Sequence, residues 1–162
     1  MGLAAAFWIM AVVMVASALA VLFLRNVFRA ALALILCFIA VAGIYITLSA
    51  DFLAAVQILV YVGAISVLII LAIMMTRDVQ KGNPVNKLEI PAAVVGMALL
   101  GILIYAVTNT PWRISAEAPL SSTTVPLATR LFSENGFVLP VEIGATLLLA
   151  AILGAIVITR EK

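Results

Sequence analysis

Residues 51–75 read DFLAAVQILVYVGAISVLIILAIMM and contain the longest apolar stretch of the chain. After Asp51 it contains no acidic or basic residue over more than twenty positions. A helix that crosses the hydrocarbon core of a bilayer, roughly 30 Å thick, needs about 20 predominantly apolar residues. The stretch therefore predicts a membrane-spanning helix from about residue 52 to about residue 75.

The rest of the chain repeats this pattern on both sides of residues 51–75. Four more apolar stretches have the length of a span, and polar residues separate them. They lie at about 3–24, 30–48, 91–107 and 141–158. The first lacks the basic start and the short apolar run of a signal peptide, so it is predicted to be a span as well.

We therefore predict an all-α membrane protein with five transmembrane helices in a single integral membrane domain, residues 1–162. Residues 108–140 form a polar outer loop in this interpretation, because they include four prolines and a Ser/Thr run. A short interfacial helix is expected within it at 127–132.

The composition excludes several classes of protein. Of 162 residues, 67% are hydrophobic and 10% charged, and mean hydropathy is +1.34. Soluble domains carry about 25% charged residues, so a soluble, disordered or nucleic-acid-binding protein is excluded. The chain has no histidine and one cysteine, Cys37. We therefore expect no zinc, haem or iron–sulfur site and no Ser–His or Cys–His catalysis, so no catalytic, cofactor-binding or metal-binding residue.

The distribution of lysine and arginine predicts the orientation. Cytoplasmic loops are enriched in these residues. Seven lie on one side of the predicted helices and two, Arg113 and Arg130, on the other. This places the N-terminus outside and the C-terminus in the cytoplasm. The seven are Arg25, Arg29, Arg77, Lys81, Lys87, Arg160 and Lys162.

The third predicted helix carries the residues of greatest interest. Gln57 and Tyr61 are four residues apart and so share one helix face. Tyr61 lies roughly 14 Å along the axis, near mid-membrane, where its hydroxyl needs a partner. Gly63 allows a kink or a π-bulge, which often marks a functional site. A packing glycine beside a hydrogen-bonded Tyr–Gln pair is the simpler explanation of the pattern, and Ser66 receives no role.

Acidic residues are rare in the predicted spans. None of the first four has an acidic or basic residue in its interior, whereas transporters and pumps place titrating groups there. A stand-alone transporter or channel is therefore a poor fit. Asp51 and Glu142 stand near the starts of the third and fifth helices, where capping and the helix dipole also favour an acid.

Three stretches resemble one family. They are LRNVFRAALALILCFIAVAGIYITL (24–48), residues 51–75 quoted above, with YVGA at 61–64, and LPVEIGATLLLAAILGAIVITRE (139–161). All three are similar to subunit J of bacterial NADH–quinone oxidoreductase. This family includes subunit 6 of mitochondrial complex I and the equivalent membrane protein of the photosynthetic complex in cyanobacteria and chloroplasts. The fourth helix and the loop after it match more weakly.

The resemblance implies a position between the quinone-binding module and the antiporter-like proton pumps of a membrane arm. It also implies a third helix that switches between α-helical and π-bulged forms at Tyr61, Val62, Gly63 and Ala64. That switch would open and close a water path. FMN, iron–sulfur clusters, NADH and a quinone belong to the holoenzyme and not to this chain. The expected location is the bacterial cytoplasmic membrane, or an equivalent energy-coupling membrane.

The chain differs from some members of this family at Gln57. Some members carry glutamate where Gln57 stands, and an amide can order water but cannot store a proton. Asp51 and Glu142 match acids of many relatives and are candidate coupling residues, although neither is interpreted as catalytic. The predicted function is a non-catalytic, energy-coupling subunit of a proton-translocating NADH:quinone oxidoreductase. The alternative is a subunit of a related ferredoxin-dependent, hydrogenase or cation/proton antiporter complex.

Overall fold

Among the residues that the structure describes, five helical stretches are long and apolar enough to span a membrane. The computed structural model describes residues 2–76, 89–112, 123–133 and 136–160. This confirms the predicted all-α fold with five spans. Five of the basic residues used to predict orientation lie outside the described residues, namely Arg77, Lys81, Lys87, Arg113 and Lys162.

The third of these spans is built from three consecutive helical segments without a break. They are α3, a π-helix and α4, and we call Asp51–Met75 the third span. In chain order the elements are α1 (Gly2–Phe23), α2 (Val27–Thr47), α3 (Asp51–Val56), the π-helix (Gln57–Ile65), α4 (Ser66–Met75), α5 (Glu89–Asn109), α6 (Thr124–Phe132) and α7 (Val138–Thr159).

The tightest packing lies between α1 and α2. Ala40 and Ala42 of α2 are each only 1% exposed. A Cβ atom built on Gly43 would lie 2.8 Å from Sδ of Met10, so the absence of a side chain there makes room for the methionine. Small residues allow membrane helices to approach closely, and dispersion contacts then hold them together. The first two spans therefore form a packed hairpin onto which the third span is added.

A short turn connects α2 to the third span. The N–H of Ala50 donates to the Tyr45 carbonyl at 2.9 Å, and the N–H of Ser49 donates to the Ile46 carbonyl at 3.0 Å. Ser49 adopts a left-handed conformation with φ 57°. These features define a Schellman motif, which satisfies the last carbonyls of a helix. The third span therefore begins at Asp51, directly after the turn, and packs beside α2.

The later helices pack less within this chain. No residue of α5 from Ile90 onwards, and none of α7, is buried by the rest of the described chain. The N–H of Phe137 donates to the Arg130 carbonyl at 3.0 Å and so links α6 to the start of α7. The short helix expected at 127–132 begins three residues earlier. The apolar surfaces of α5 and α7 are therefore available to lipid or to other chains.

Candidate functional site

The centre of the third span is a π-helix. It covers Gln57–Ile65, nine residues, and includes Tyr61, Val62, Gly63 and Ala64. In a π-helix each N–H binds the carbonyl five residues back, and such segments mostly occur as single-turn bulges, frequently at functional sites. Here the segment is longer than one turn and begins four residues before Tyr61. It is the most unusual backbone feature of the described chain.

Ser66 makes two hydrogen bonds at the C-terminal end of the π-helix. Its backbone N–H donates to the Tyr61 carbonyl, and its hydroxyl donates to the same oxygen at 2.7 Å. In an α-helix that N–H would bind the Val62 carbonyl. The π-helical register therefore removes from Val62 the donor that an α-helix would supply.

Gly63 lies where the π-helix is sensitive to side-chain size. A Cβ atom on Gly63 would be 3.4 Å from the Ile58 carbonyl oxygen, which is at the limit of ordinary contact. No other described atom outside the local helix backbone lies within 4 Å of that position. An alanine therefore fits, whereas the two γ-methyl groups of a β-branched side chain would crowd the helix's own backbone.

The third span turns one face towards α2. Ala54, Gln57 and Ser66 are buried on this face, with exposed fractions of 4%, 8% and 3%. Tyr61 is 42% exposed, and its ring meets that of Phe38 of α2 edge to face, with centroids 5.5 Å apart. The structure thus brings Gln57 and Tyr61 to the α2 side of one segment. It also adds Ser66, to which the sequence pattern assigns no role.

Two polar groups of the π-helix have no hydrogen bond among the described residues. Among the described residues of the third span, the side-chain hydrogen bond found is that of Ser66 with its own helix, and Thr76, the residue after the span, bonds back to Ala72. The Gln57 amide and the Tyr61 hydroxyl are therefore left to bind water or another chain, since polar groups inside a membrane require partners. The arrangement can order water, while an amide supplies no titrating group.

The two candidate acids lie apart from the π-helix. Asp51 is exposed in the first turn of α3, where the helix dipole favours a carboxylate. Glu142 is exposed in α7, which already begins at Val138. Pro140 is accommodated in the first turn, where a proline costs no intrahelical hydrogen bond, so Glu142 lies one turn further into the helix than expected. Neither acid joins the polar groups of the π-helix.

The chain's residues do not fit an iron–sulfur cluster. Such clusters are held by several cysteine thiolates. Cys37 is the only cysteine of the sequence, it is half-buried, and its Sγ lies 3.7 Å from the Met14 carbonyl oxygen between α2 and α1. One thiolate cannot replace the several that such a cluster requires.

Relatives of this chain carry the names of oxidoreductase and dehydrogenase subunits. NAD(P)H-quinone oxidoreductase chain 6 of Leptolyngbya boryana is 40% identical, covering 96% of this chain and 79% of the relative. The protein of the same name from Synechocystis sp. is 38% identical over the same shares. F(420)H(2) dehydrogenase subunit J of Methanosarcina mazei is 36% identical, covering 98% of this chain and 91% of the relative.

The sequence profile of one family matches nearly the whole chain. The profile is that of NADH-ubiquinone/plastoquinone oxidoreductase chain 6, and the match covers residues 17–158. It includes the π-helix, the Schellman turn and all spans except the first part of α1 and the last residue of α7. This chain therefore belongs to the NADH-ubiquinone/plastoquinone oxidoreductase chain 6 family.

Proposed function

We propose that this chain is a membrane-arm subunit that couples quinone reduction to proton translocation in an NADH:quinone oxidoreductase. The single observation that carries the proposal is the nine-residue π-helix in the middle of a membrane span. Its partners are the neighbouring quinone-module and antiporter-like subunits and the lipid bilayer. The exposed apolar surfaces of α5 and α7 suit both kinds of contact. The chain lies in the cytoplasmic membrane with its C-terminus inside.

The proposed gate consists of Tyr61, Val62, Gly63 and Ala64. In the π-helical form the Ser66 amide bonds to the Tyr61 carbonyl instead of the Val62 carbonyl, and neither the Gln57 amide nor the Tyr61 hydroxyl has a hydrogen bond among the described residues. These groups order a chain of water molecules through which protons move. A return of residues 57–65 to an α-helix restores the Ser66 amide to Val62 and closes the path. The protein moves no proton on a side chain of its own within this segment.

The electron donor is proposed to be NADH. Two relatives have NAD(P)H in their names, and one is named for F(420)H(2), so the family includes complexes with different donors. The donor-binding subunit is a separate chain in this proposal. The alternative proposal is that this chain is a membrane subunit of a ferredoxin-dependent, hydrogenase or cation/proton antiporter complex.

Affinity purification in mild detergent, with a tag after Lys162, tests this proposal. We expect many other subunits to co-purify, and the eluate to reduce a quinone with NADH. Reduced ferredoxin, hydrogen and F420H2 are assayed in parallel, and a large complex active only with one of these supports the alternative. The chain eluting alone, and moving ions in liposomes, contradicts both proposals and supports a stand-alone transporter.

The Tyr61→Phe substitution tests whether the hydroxyl takes part in the water path. The phenylalanine ring keeps the edge-to-face contact with Phe38, so assembly is expected to be unchanged. Loss of one hydrogen bond to water lowers proton translocation per quinone reduced by about twofold to tenfold. The measurement is proton uptake by proteoliposomes during quinone reduction.

Tyr105→Phe is the matched control, because Tyr105 lies on α5 and is 70% exposed. It is expected to translocate protons normally. A Tyr61→Phe complex with a normal proton-to-quinone ratio would show that the hydroxyl is not part of the path.

A further inference from the structure

Two buried serines of this chain bond to their own helices in different ways. Ser17 in α1 is 5% exposed, and its hydroxyl donates to the carbonyls of Val13 at 2.7 Å and Met14 at 3.0 Å. These are the residues four and three positions back, as is usual in an α-helix. The Ser66 hydroxyl instead binds the Tyr61 carbonyl five positions back. The buried side chain of Ser66 therefore follows the π-helical register.

The spacing of Gln57 and Ser66 also depends on that register. They are nine residues apart, which makes about two and a half α-helical turns and would place them on opposite faces. Hydrogen bonds in a π-helix join residues five apart instead of four, so each turn is wider and nine residues make about two turns. Both side chains are buried against α2. Their joint burial is compatible with the π-helix and incompatible with an α-helix.

Ala64 would lie on the α2 face in an α-helix but lies away from it in the π-helix. It lies seven residues after Gln57, which makes about two α-helical turns and would place it on the face of Gln57. In the π-helix the same seven residues make about one and a half turns. Ala64 is exposed while Ser66 is only 3% exposed. Ala64 and Ser66 would therefore exchange places on the α2 face if the segment changed between the two registers.

The remaining residues of the third span permit such an exchange. Ala54 and Gln57 fix the N-terminal half against α2. From Val67 to Met75 every side chain of α4 is apolar, so any side of α4 can meet α2 without burying a polar group. The two forms then differ mainly in whether Ala64 or Ser66 contacts α2.

We propose that Ser66 and Ala64 are alternative contact residues for α2, and that they set whether residues 57–65 wind as a π-helix or as an α-helix. Ser66 against α2 selects the π-helix, and Ala64 against α2 selects the α-helix. The inference rests on the proposed switching of the third span and identifies the residues that define its two forms.

Leucine substitutions at the two positions test the proposal with opposite expected results. In the purified intact complex, Ser66→Leu is expected to lose the π-helix, because leucine does not fit the place of a 3%-exposed serine. Ala64→Leu is expected to keep the π-helix under all conditions, since the substituted side chain is exposed in that register but would clash with α2 in an α-helix. The measurement is the backbone register of residues 57–65 by electron cryomicroscopy.

Ala55→Leu is the matched control, because Ala55 is exposed in α3, outside the π-helix, and its change is expected to leave the register unaltered. If Ser66→Leu prevents assembly, the smaller Ser66→Val carries the same expectation, and Ala64→Leu tests the other half independently. A π-helix retained in the Ser66 variants, or lost in Ala64→Leu, overturns the proposal.

Proton translocation by the same preparations tests the proposed function separately. Each variant is expected to keep residues 57–65 in one helical form, Ser66→Leu as an α-helix and Ala64→Leu as a π-helix. Both are therefore expected to lose coupling between quinone reduction and proton translocation. The expected registers together with normal coupling would leave the assignment of Ser66 and Ala64 standing and refute the gate. Unchanged registers would refute the assignment, whatever the coupling.

Discussion

Replacing Gly43 with leucine is expected to reduce the assembled complex in membranes several-fold. A Cβ atom at this position would already lie 2.8 Å from Sδ and 3.1 Å from Cγ of Met10. The methionine end can move aside for one methyl group, but a leucine side chain must separate α1 from α2. Overpacking of this kind costs about 1–3 kcal/mol, and such a loss lowers protein abundance several-fold in cells. Quantitative native gels of solubilised membranes measure it.

Two further variants test whether the contact with Met10 causes the loss of assembled complex in Gly43→Leu. Gly101→Leu on α5 is the control, because a Cβ atom there meets no described atom within 4 Å. Met10→Ala combined with Gly43→Leu is expected to restore part of the assembly by making room between the helices. Wild-type assembly of Gly43→Leu, or no recovery in the double variant, would contradict the packing described for α1 and α2.

Replacing Gly63 with valine is expected to lower coupled quinone reduction about tenfold while the complex still assembles. The Cβ atom would lie 3.4 Å from the Ile58 carbonyl oxygen, and the γ-methyl groups add to the crowding in the π-helix. Overpacking strain of about 1–3 kcal/mol corresponds to a change in rate of this order. Gly63 is exposed to the outside of this chain, so folding is affected little. NADH-driven quinone reduction and proton uptake in proteoliposomes measure the effect.

Gly63→Ala separates side-chain size from the loss of glycine. Its Cβ atom fits at ordinary contact distance, so nearly normal activity is expected. Gly144→Val on α7 controls for a valine in an open helical position. Normal rate and normal proton pumping in a fully assembled Gly63→Val complex would rule out a gate at this glycine.

The five spans could be predicted from sequence because length and hydropathy alone decide whether a helix crosses a bilayer. The ends of the spans were less predictable. α7 begins at Val138 rather than near 141, because Pro140 is tolerated in the first helical turn. α5 continues to Asn109, whose amide donates to the Tyr105 carbonyl at 3.0 Å and extends the helix into the predicted loop.

The extent of the π-helix could not be predicted from residue patterns. The family resemblance implies a bulge at residues 61–64, whereas the π-helix starts four residues earlier, at Gln57, where the third span packs against α2. Ser66 receives no role from the sequence, because a serine within a membrane helix can simply bond back to its own backbone. The nine-residue spacing of Gln57 and Ser66 was the available signal, and it becomes meaningful only once a π-helical register is considered.

The Schellman turn at Ser49 and Ala50 determines which part of the third span would rotate if residues 57–65 changed from a π-helix to an α-helix. It anchors the start of the third span to the end of α2, so α3 cannot rotate when the number of turns downstream changes. All of the torsion must then appear in α4. Half a turn would carry the side chains of Met74 and Met75 across the width of the helix, about 10 Å. A change of helical register in residues 57–65, in the middle of the membrane, would therefore rotate the C-terminal end of α4 at one surface of the bilayer.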